Sequence, residues 1–203
     1  QYGPIVLPTD ELISGDLDSD NPLMQLPRNT YAECVDYICK ELDIAAKDLP
    51  VNFKSSVHDN GYTSNNYGRA TAAACMAIKS RVLLLAASPQ FNGNPAYSSV
   101  RNNDGTPLFS DYDKTRWELA ADAAKDIIDL GVFDLYKVNN KNGILDPYMS
   151  CRDVFLDSWN CEAIMYQTTH DYTNNQRHGS PRKFGGYESA GVTQSLVDEF
   201  QMA

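Results

Sequence analysis

From about Arg69 to Ser88 the chain is apolar nearly all the way round and rich in alanine; its apolar-rich run, Ala70 to Ala87, is broken by Lys79, Ser80 and Arg81, and Pro89 stops it. Alanine is the strongest helix former and proline cannot continue a helix, so the spacing predicts one helix over this stretch. A helix with no polar face has to be wrapped by neighbours. Its small side chains let those neighbours approach closely. The run is too short and too often charged to reach the ~20 apolar residues that a membrane span needs, so it reads as a buried core helix. A chain built round such an element is mainly α.

The flanking segments agree. Thr30 and Glu33 form a capping box, and Tyr31, Val35, Ile38, Leu42, Ala45 and Leu49 then recur at helical spacing until Pro50. Glu33, Asp36, Lys40, Asp43 and Lys47 occupy the opposite, solvent-facing side. A third helix is expected from the N-cap Asp113, with Trp117, Ala120, Ala121, Ala124, Ile127 and Ile128 on one face and Gly131 closing it. Trp117 followed by small residues three, four and seven positions on resembles the first helix of a tetratricopeptide repeat, and Trp117 is read as core. Ala163 to Thr168 reads as a short strand, residues 169 to 191 as a polar loop, and a last amphipathic helix starts at Thr193 with Leu196, Val197 and Phe200 on its apolar side. Residues 89 to 112 form a long insertion of Asn, Gly, Ser and Pro, of the length usually reserved for function or disorder.

Charge narrows the partners. The formal net charge is -10, and the 17 basic residues are scattered without a stripe or block. Phosphate backbones need clustered Lys and Arg, so nucleic acid and anionic membrane surfaces are disfavoured and a neutral polar ligand fits better. The five cysteines include no CxxC pair, which argues against zinc. Cys34, Cys39 and Cys75 fall in helical patterns as small buried hydrophobes, while Cys151 and Cys161 could pair. Asp16, Asp18 and Asp20 copy the start of a calcium loop, but Asn21 and Pro27 stand where its glycine and bidentate glutamate belong. No cofactor is expected; calcium stays possible with no ligands mapped.

Five segments, in order, resemble the SusD/RagB family. They are Tyr2-Gly3-Pro4-Ile5; Gly68-Arg69-Ala70-Thr71 leading to Ala86-Ala87-Ser88-Pro89-Gln90-Phe91-Asn92; Trp117 to Leu130; Trp159-Asn160-Cys161-Glu162-Ala163-Ile164; and Thr193-Gln194-Ser195-Leu196-Val197-Asp198-Glu199-Phe200. Val192 stands where that family usually has proline. The resemblance implies a SusD-like helical superhelix of tetratricopeptide type, with long loops, minor β structure and no catalytic chemistry. It implies a lipid-anchored protein on the outer face of a Bacteroidetes-type outer membrane, touching the membrane only through an anchor absent from this segment. It further implies oligosaccharide as ligand and a SusC-like TonB-dependent transporter as partner. On this reading residues 1 to 203 are one segment of a SusD-like domain whose amino-terminal part and carboxy-terminal remainder lie outside the sequence.

Sugars present apolar C–H faces and a rim of hydroxyls, so a site needs exposed aromatic planes beside Asn, Asp and Arg. The insertion offers Tyr97, Arg101, Asn102, Asn103 and Asp104, with Tyr112 near its end. The second polar loop offers His170, Tyr172, Asn174, Asn175, Arg177 and His178, and Trp159 could stack on ligand. The candidate ligand-binding set is therefore Tyr97, Arg101, Asn102, Asp104, Trp159, Tyr172, Asn174 and Arg177. The plainer alternative is that both loops are solvated and use Asn and Gly to turn. Phe91 and Asn92 are read as structural. A helical-repeat interaction module and a glycoside hydrolase are the competing functions. No nucleophile-elbow, HExxH or P-loop pattern occurs, and Glu162 is the least implausible catalytic acid.

Overall fold

The computed structural model describes residues 3–7, 22–53, 68–157, 160–165, 173–187, 189, 191 and 193–199. The chain is mainly helical. It forms two compact units, residues 1–166 and 167–203. The first holds α1 (Tyr31–Asp48), α2 (Ala72–Ala87), α3 (Thr115–Asp129) and the short α4 (Pro147–Asp153). The second holds α5 (Thr173–Gly179) and α6 (Gln194–Glu199). Extended structure among the described residues amounts to two isolated antiparallel bridges, Arg101 with Pro107 and Asn139 with Leu145.

α1 starts where the capping box places it. The Glu33 amide donates to Thr30 Oγ1 at 3.2 Å, and the Thr30 amide donates back to Glu33 Oε2 at 2.7 Å. The Tyr31 amide is satisfied by a distant carbonyl, Leu108 O, at 2.9 Å. The buried stripe of α1 runs through Cys34, Val35 and Cys39, while Ile38 is exposed. Val35 and Cys39 pack on Ala86, with Tyr31, Val82 and Leu83 closing round them. Each buried Val or Leu side chain contributes about 1.5–3 kcal/mol. The exposed Lys79–Asp43 ion pair, 2.7 Å across the same two helices, is worth about 1 kcal/mol at most.

α2 is central, packing against both α1 and α3. Thr71 caps it by accepting from the Ala74 amide at 3.1 Å, so it begins at Ala72, three residues after Arg69. Its burial is uneven. Ala72, Ala73, Ala74, Cys75, Ala86 and Ala87 are buried, whereas Ile78, Leu84 and Leu85 form an exposed apolar side.

α3 corrects the expected core. Ala120 is buried as expected and is joined by Ala123, but Trp117 is 40% and Ile128 73% exposed. Two apolar stripes run side by side on this helix, and the one through 120 and 123 faces α2. Asp113 organises the entry one residue outside the cap position, accepting from the Thr115 amide at 2.9 Å. Gly131 ends the helix with φ +63°, a conformation that disfavours a side chain.

Two further expectations change. The described part of the expected strand, 163–165, is irregular, because Asn160 folds the chain into a turn. Its side-chain amide donates to Val154 O and Asp157 O, and its Oδ1 accepts from the Glu162 amide. Residues 169 to 191 are not one loop: α5 and a 3-10 turn, Arg182–Phe184, occupy 173–184. The final helix begins at Gln194, one residue after the expected Thr193. All five thiols, Cys151 and Cys161 included, are free.

The insertion between α2 and α3 is ordered and closed at its base. Asn92, only 4% exposed, donates to Asp113 O at 2.9 Å and accepts from the Asp113 amide at 2.8 Å. Above this clamp lies a run of stacked rings. Phe91 stacks on Tyr31 with centroids 4.5 Å apart, and Phe109 on Tyr97 at 4.7 Å. Leu108, next to Phe109 in the chain, is 0% exposed.

Removing the clamp leaves the Asp113 N–H without its partner and the Asp113 C=O with only the 3.4 Å bond from the Arg116 amide, at about 1–3 kcal/mol. Asn92→Ala is therefore expected to lower unfolding stability by roughly 2 kcal/mol in urea denaturation; an unchanged midpoint would show that the clamp is dispensable. The Thr30 hydrogen bonds hold the Glu33 carboxyl below its usual range. A depressed folded-state pKa gives stability that is present above the unfolded value of about 4.3 and lost as pH falls through the folded one. Between pH 5 and 3 the wild type should lose more stability than Glu33→Gln, measured by thermal melting at each pH.

Candidate functional site

The insertion encloses a cleft of about 670 Å³, within the ~300–1,000 Å³ of small-ligand sites. Leu108 and Phe109 line it on the apolar side, and Thr30 and Ala32 bring the start of α1 to its wall. Asn94, Ser98, Arg101, Ser110, Asp111 and Tyr112 supply its polar lining. Several of these are fixed by local bonds. Asn94 donates to Gln90 O and accepts from the Ala96 amide, capping the 3-10 turn Pro95–Tyr97. Ser98 donates to Pro95 O at 2.8 Å. Ser110 accepts from Arg116 Nη2 at 2.6 Å. Arg101 is tethered through Nη1 to Gly105 O at 3.2 Å, which uses one of the five donors an arginine carries. Asp111 and Tyr112 are exposed, and among the described residues their side chains make no hydrogen bond or ion pair.

The candidates from the insertion separate in space. Arg101 lines the cleft. Tyr97 is half-buried in the ring stack, 4.7 Å from Phe109. Asn102 ties the insertion to the segment before α1, donating to Arg28 O at 2.7 Å. Asp104 sits in the turn between Arg101 and Pro107, where its Oδ1 accepts from the Thr106 amide at 2.8 Å. That backbone hydrogen bond holds the Asp104 carboxyl below its usual range. Sequence reasoning picks out Tyr112 but misses Asn94, Ser98, Ser110 and Asp111 as lining residues. Their shared signal is their place at the two feet of one long loop.

The other candidates lie between residues 159 and 178 of the chain. Arg177 and His178 lie on α5, and Tyr187 returns to donate from its amide to Arg177 O at 2.6 Å. The His178 ring lies 5.3 Å from that of Tyr187, and its Nδ1 hydrogen-bonds Ser189 Oγ. Asn174 is on α5, but its side chain lies outside the described residues, as do Trp159, His170 and Tyr172. Asp16, Asp18 and Asp20 lie outside them too. Among the described residues no group of three or more His, Cys, Asp or Glu could hold a metal.

Glu162 is engaged locally, its Oε1 accepting from the Tyr136 amide at 2.8 Å. The Tyr136 hydroxyl in turn donates to Asp157. That hydrogen bond, more than burial or nearby carboxylates, pushes the phenol up to about 12. Glu162 and Asp157 thus anchor the stretch between α3 and α4.

Three solved structures share this architecture. BT4246 is 35% identical, with a TM-score of 0.55 over 75% of this chain and 24% of its own. A selenomethionine form of BT4246 aligns at 29% identity and a TM-score of 0.51 over 91% of this chain and 29% of its own. A SusD-like protein, BF3747 from Bacteroides fragilis NCTC 9343, aligns at 20% identity and a TM-score of 0.51, covering 86% of this chain and 24% of that one. The fold is SusD-like. No protein-family model and no curated protein matches the chain. It spans about a quarter of the length of these solved structures.

The SusD-like resemblance read from sequence motifs and the structural likeness therefore agree. The motif Ser88-Pro89-Gln90-Phe91-Asn92 has a structural meaning within this SusD-like frame. Ser88 closes α2, Phe91 enters the ring stack, and Asn92 clamps the cleft's base.

Replacing Asp157 by Asn removes the charged acceptor that favours the neutral phenol. Asp157→Asn should lower the Tyr136 pKa by about one unit or more, read as phenolate absorbance on alkaline titration; no change would mean that Asp157 does not hold the hydroxyl.

Proposed function

We propose that this chain is part of a non-catalytic cell-surface protein that binds oligosaccharides. It captures them at the outer face of the outer membrane and delivers them to a SusC-like TonB-dependent transporter. The observation that carries the reading is the cleft at residues 93–112, hung on a SusD-like helical frame. It combines an apolar side with amide, hydroxyl, guanidinium and carboxylate groups, the pairing that a sugar ring with C–H faces and a hydroxyl rim requires. Acid–base hydrolysis would need two carboxylates placed on either side of the scissile bond. Glu162, the best sequence candidate, is instead bonded to backbone. No described helix is long and apolar enough to cross a membrane. The lipid anchor belongs to this reading through the SusD-like likeness.

A second reading, a helical-repeat module for binding another protein, draws on the exposed stripe of α3 through Trp117 and Ile128. The two differ in ligand. Isothermal calorimetry of the full-length protein against a panel of oligosaccharides should show saturable binding, with no reducing ends released on prolonged incubation. Binding to no glycan would remove the first reading; steady release of reducing ends would replace it with a hydrolase.

A further inference from the structure

We infer that Tyr112 is the stacking platform of the cleft, that Gly93 fixes its position, and that the ligand unit seated there is a neutral sugar ring. The inference rests on the glycan-binding reading and assigns it to one residue pair.

The aromatic residues of the insertion divide by what their rings already do. Tyr97 and Phe109 lie against each other, and Phe109 also stacks on Tyr31 at 5.7 Å. Their faces are engaged by the fold. Tyr112 lines the same cleft, is 63% exposed and takes part in no ring contact among the described residues. A large amphipathic ring left in water, beside groups able to hydrogen-bond hydroxyls, is arranged for a ligand that is apolar on its face and polar at its edge.

Exposure alone would leave such a ring loosely placed, but the backbone beneath it is held. Gly93 follows the Asn92 clamp with φ +74°, and a Cβ built there would lie 2.6 Å from Tyr112 Cβ and 2.8 Å from its Cα and N. The two chain segments touch backbone to backbone, one residue from the two hydrogen bonds that join Asn92 to Asp113. A side chain at 93 is excluded both by the left-handed conformation and by contact. Glycine therefore holds Tyr112 at a fixed distance from the opposite foot of the loop.

Charge selects the ligand class. The charged groups lining the cleft are one arginine, Arg101, and one aspartate, Asp111. Both can hydrogen-bond hydroxyls, and together they are neutral. The chain as a whole carries a net charge of -10, which disfavours an acidic sugar.

The test uses the full-length protein and calorimetry with neutral hexasaccharides of glucose, xylose and mannose, and with a galacturonic acid hexamer. Tyr112→Ala should weaken the best neutral ligand about tenfold with an unchanged melting temperature, and Tyr112→Phe should bind within about threefold of wild type. Gly93→Ala should weaken binding with Tyr112 in place. If the wild type binds a neutral glycan and Tyr112→Ala binds it equally well, the assignment to this cleft is overturned and the glycan-binding reading stands. If the wild type binds none of the panel, both fall. Tighter binding of the galacturonic acid hexamer than of any neutral one overturns the ligand class.

Discussion

Everything the cleft can do depends on one buried side chain. Asn92 pairs with both backbone groups of Asp113 and so joins the exit of α2 to the entry of α3. An asparagine can do this because its amide offers donor and acceptor side by side, matching the N–H and C=O of a single distant residue. The effect is to convert the polar loop between residues 92 and 113 into a closed structure whose feet are fixed on rigid helices. Without that closure the same composition of Asn, Gly, Ser and Pro would have little reason to hold one shape.

Aromatic packing completes the closure from the other side. Tyr31 at the start of α1, Phe91 after α2 and Phe109 near the end of the insertion stack within 6.3 Å of one another. Burial pushes the Tyr31 phenol up. The start of α1 and the exit of α2 thus meet the insertion at one apolar seam. Frame and site are separate in chemistry: alanine and stacked rings inside, exposed carboxylate, guanidinium and phenol outside.

The helices are legible in the sequence because their signals are local. Thr30 with Glu33, Pro89 after the alanine run and Gly131 after α3 act within a turn of where they stand. What stays hidden is tertiary. Periodicity names the apolar positions of α3 but not which of two adjacent stripes is covered, so Trp117 reads as part of a core it does not enter. The 3.6-residue pattern of residues 173–179 is masked by Asn, Gln, Arg and His, none of which marks an apolar face. Asn160 resembles the start of a strand motif because a turn made by one side chain leaves no periodic trace. In the cleft, Arg101 can be named as a sugar-binding type, but Asn102 and Asp104 carry the same type and serve the loop itself. Only the folded chain separates a polar residue that holds a loop from one the loop holds out.

The bond from the Tyr31 amide to Leu108 O has a kinetic consequence. The first N–H groups of a helix have no partner within it and exchange readily with solvent. Here one of them is covered by a carbonyl that arrives only when the insertion docks. Its deuterium uptake therefore tracks opening of the insertion rather than fraying of α1. A single amide signal near the beginning of the chain reports, in real time, on a pocket built far downstream.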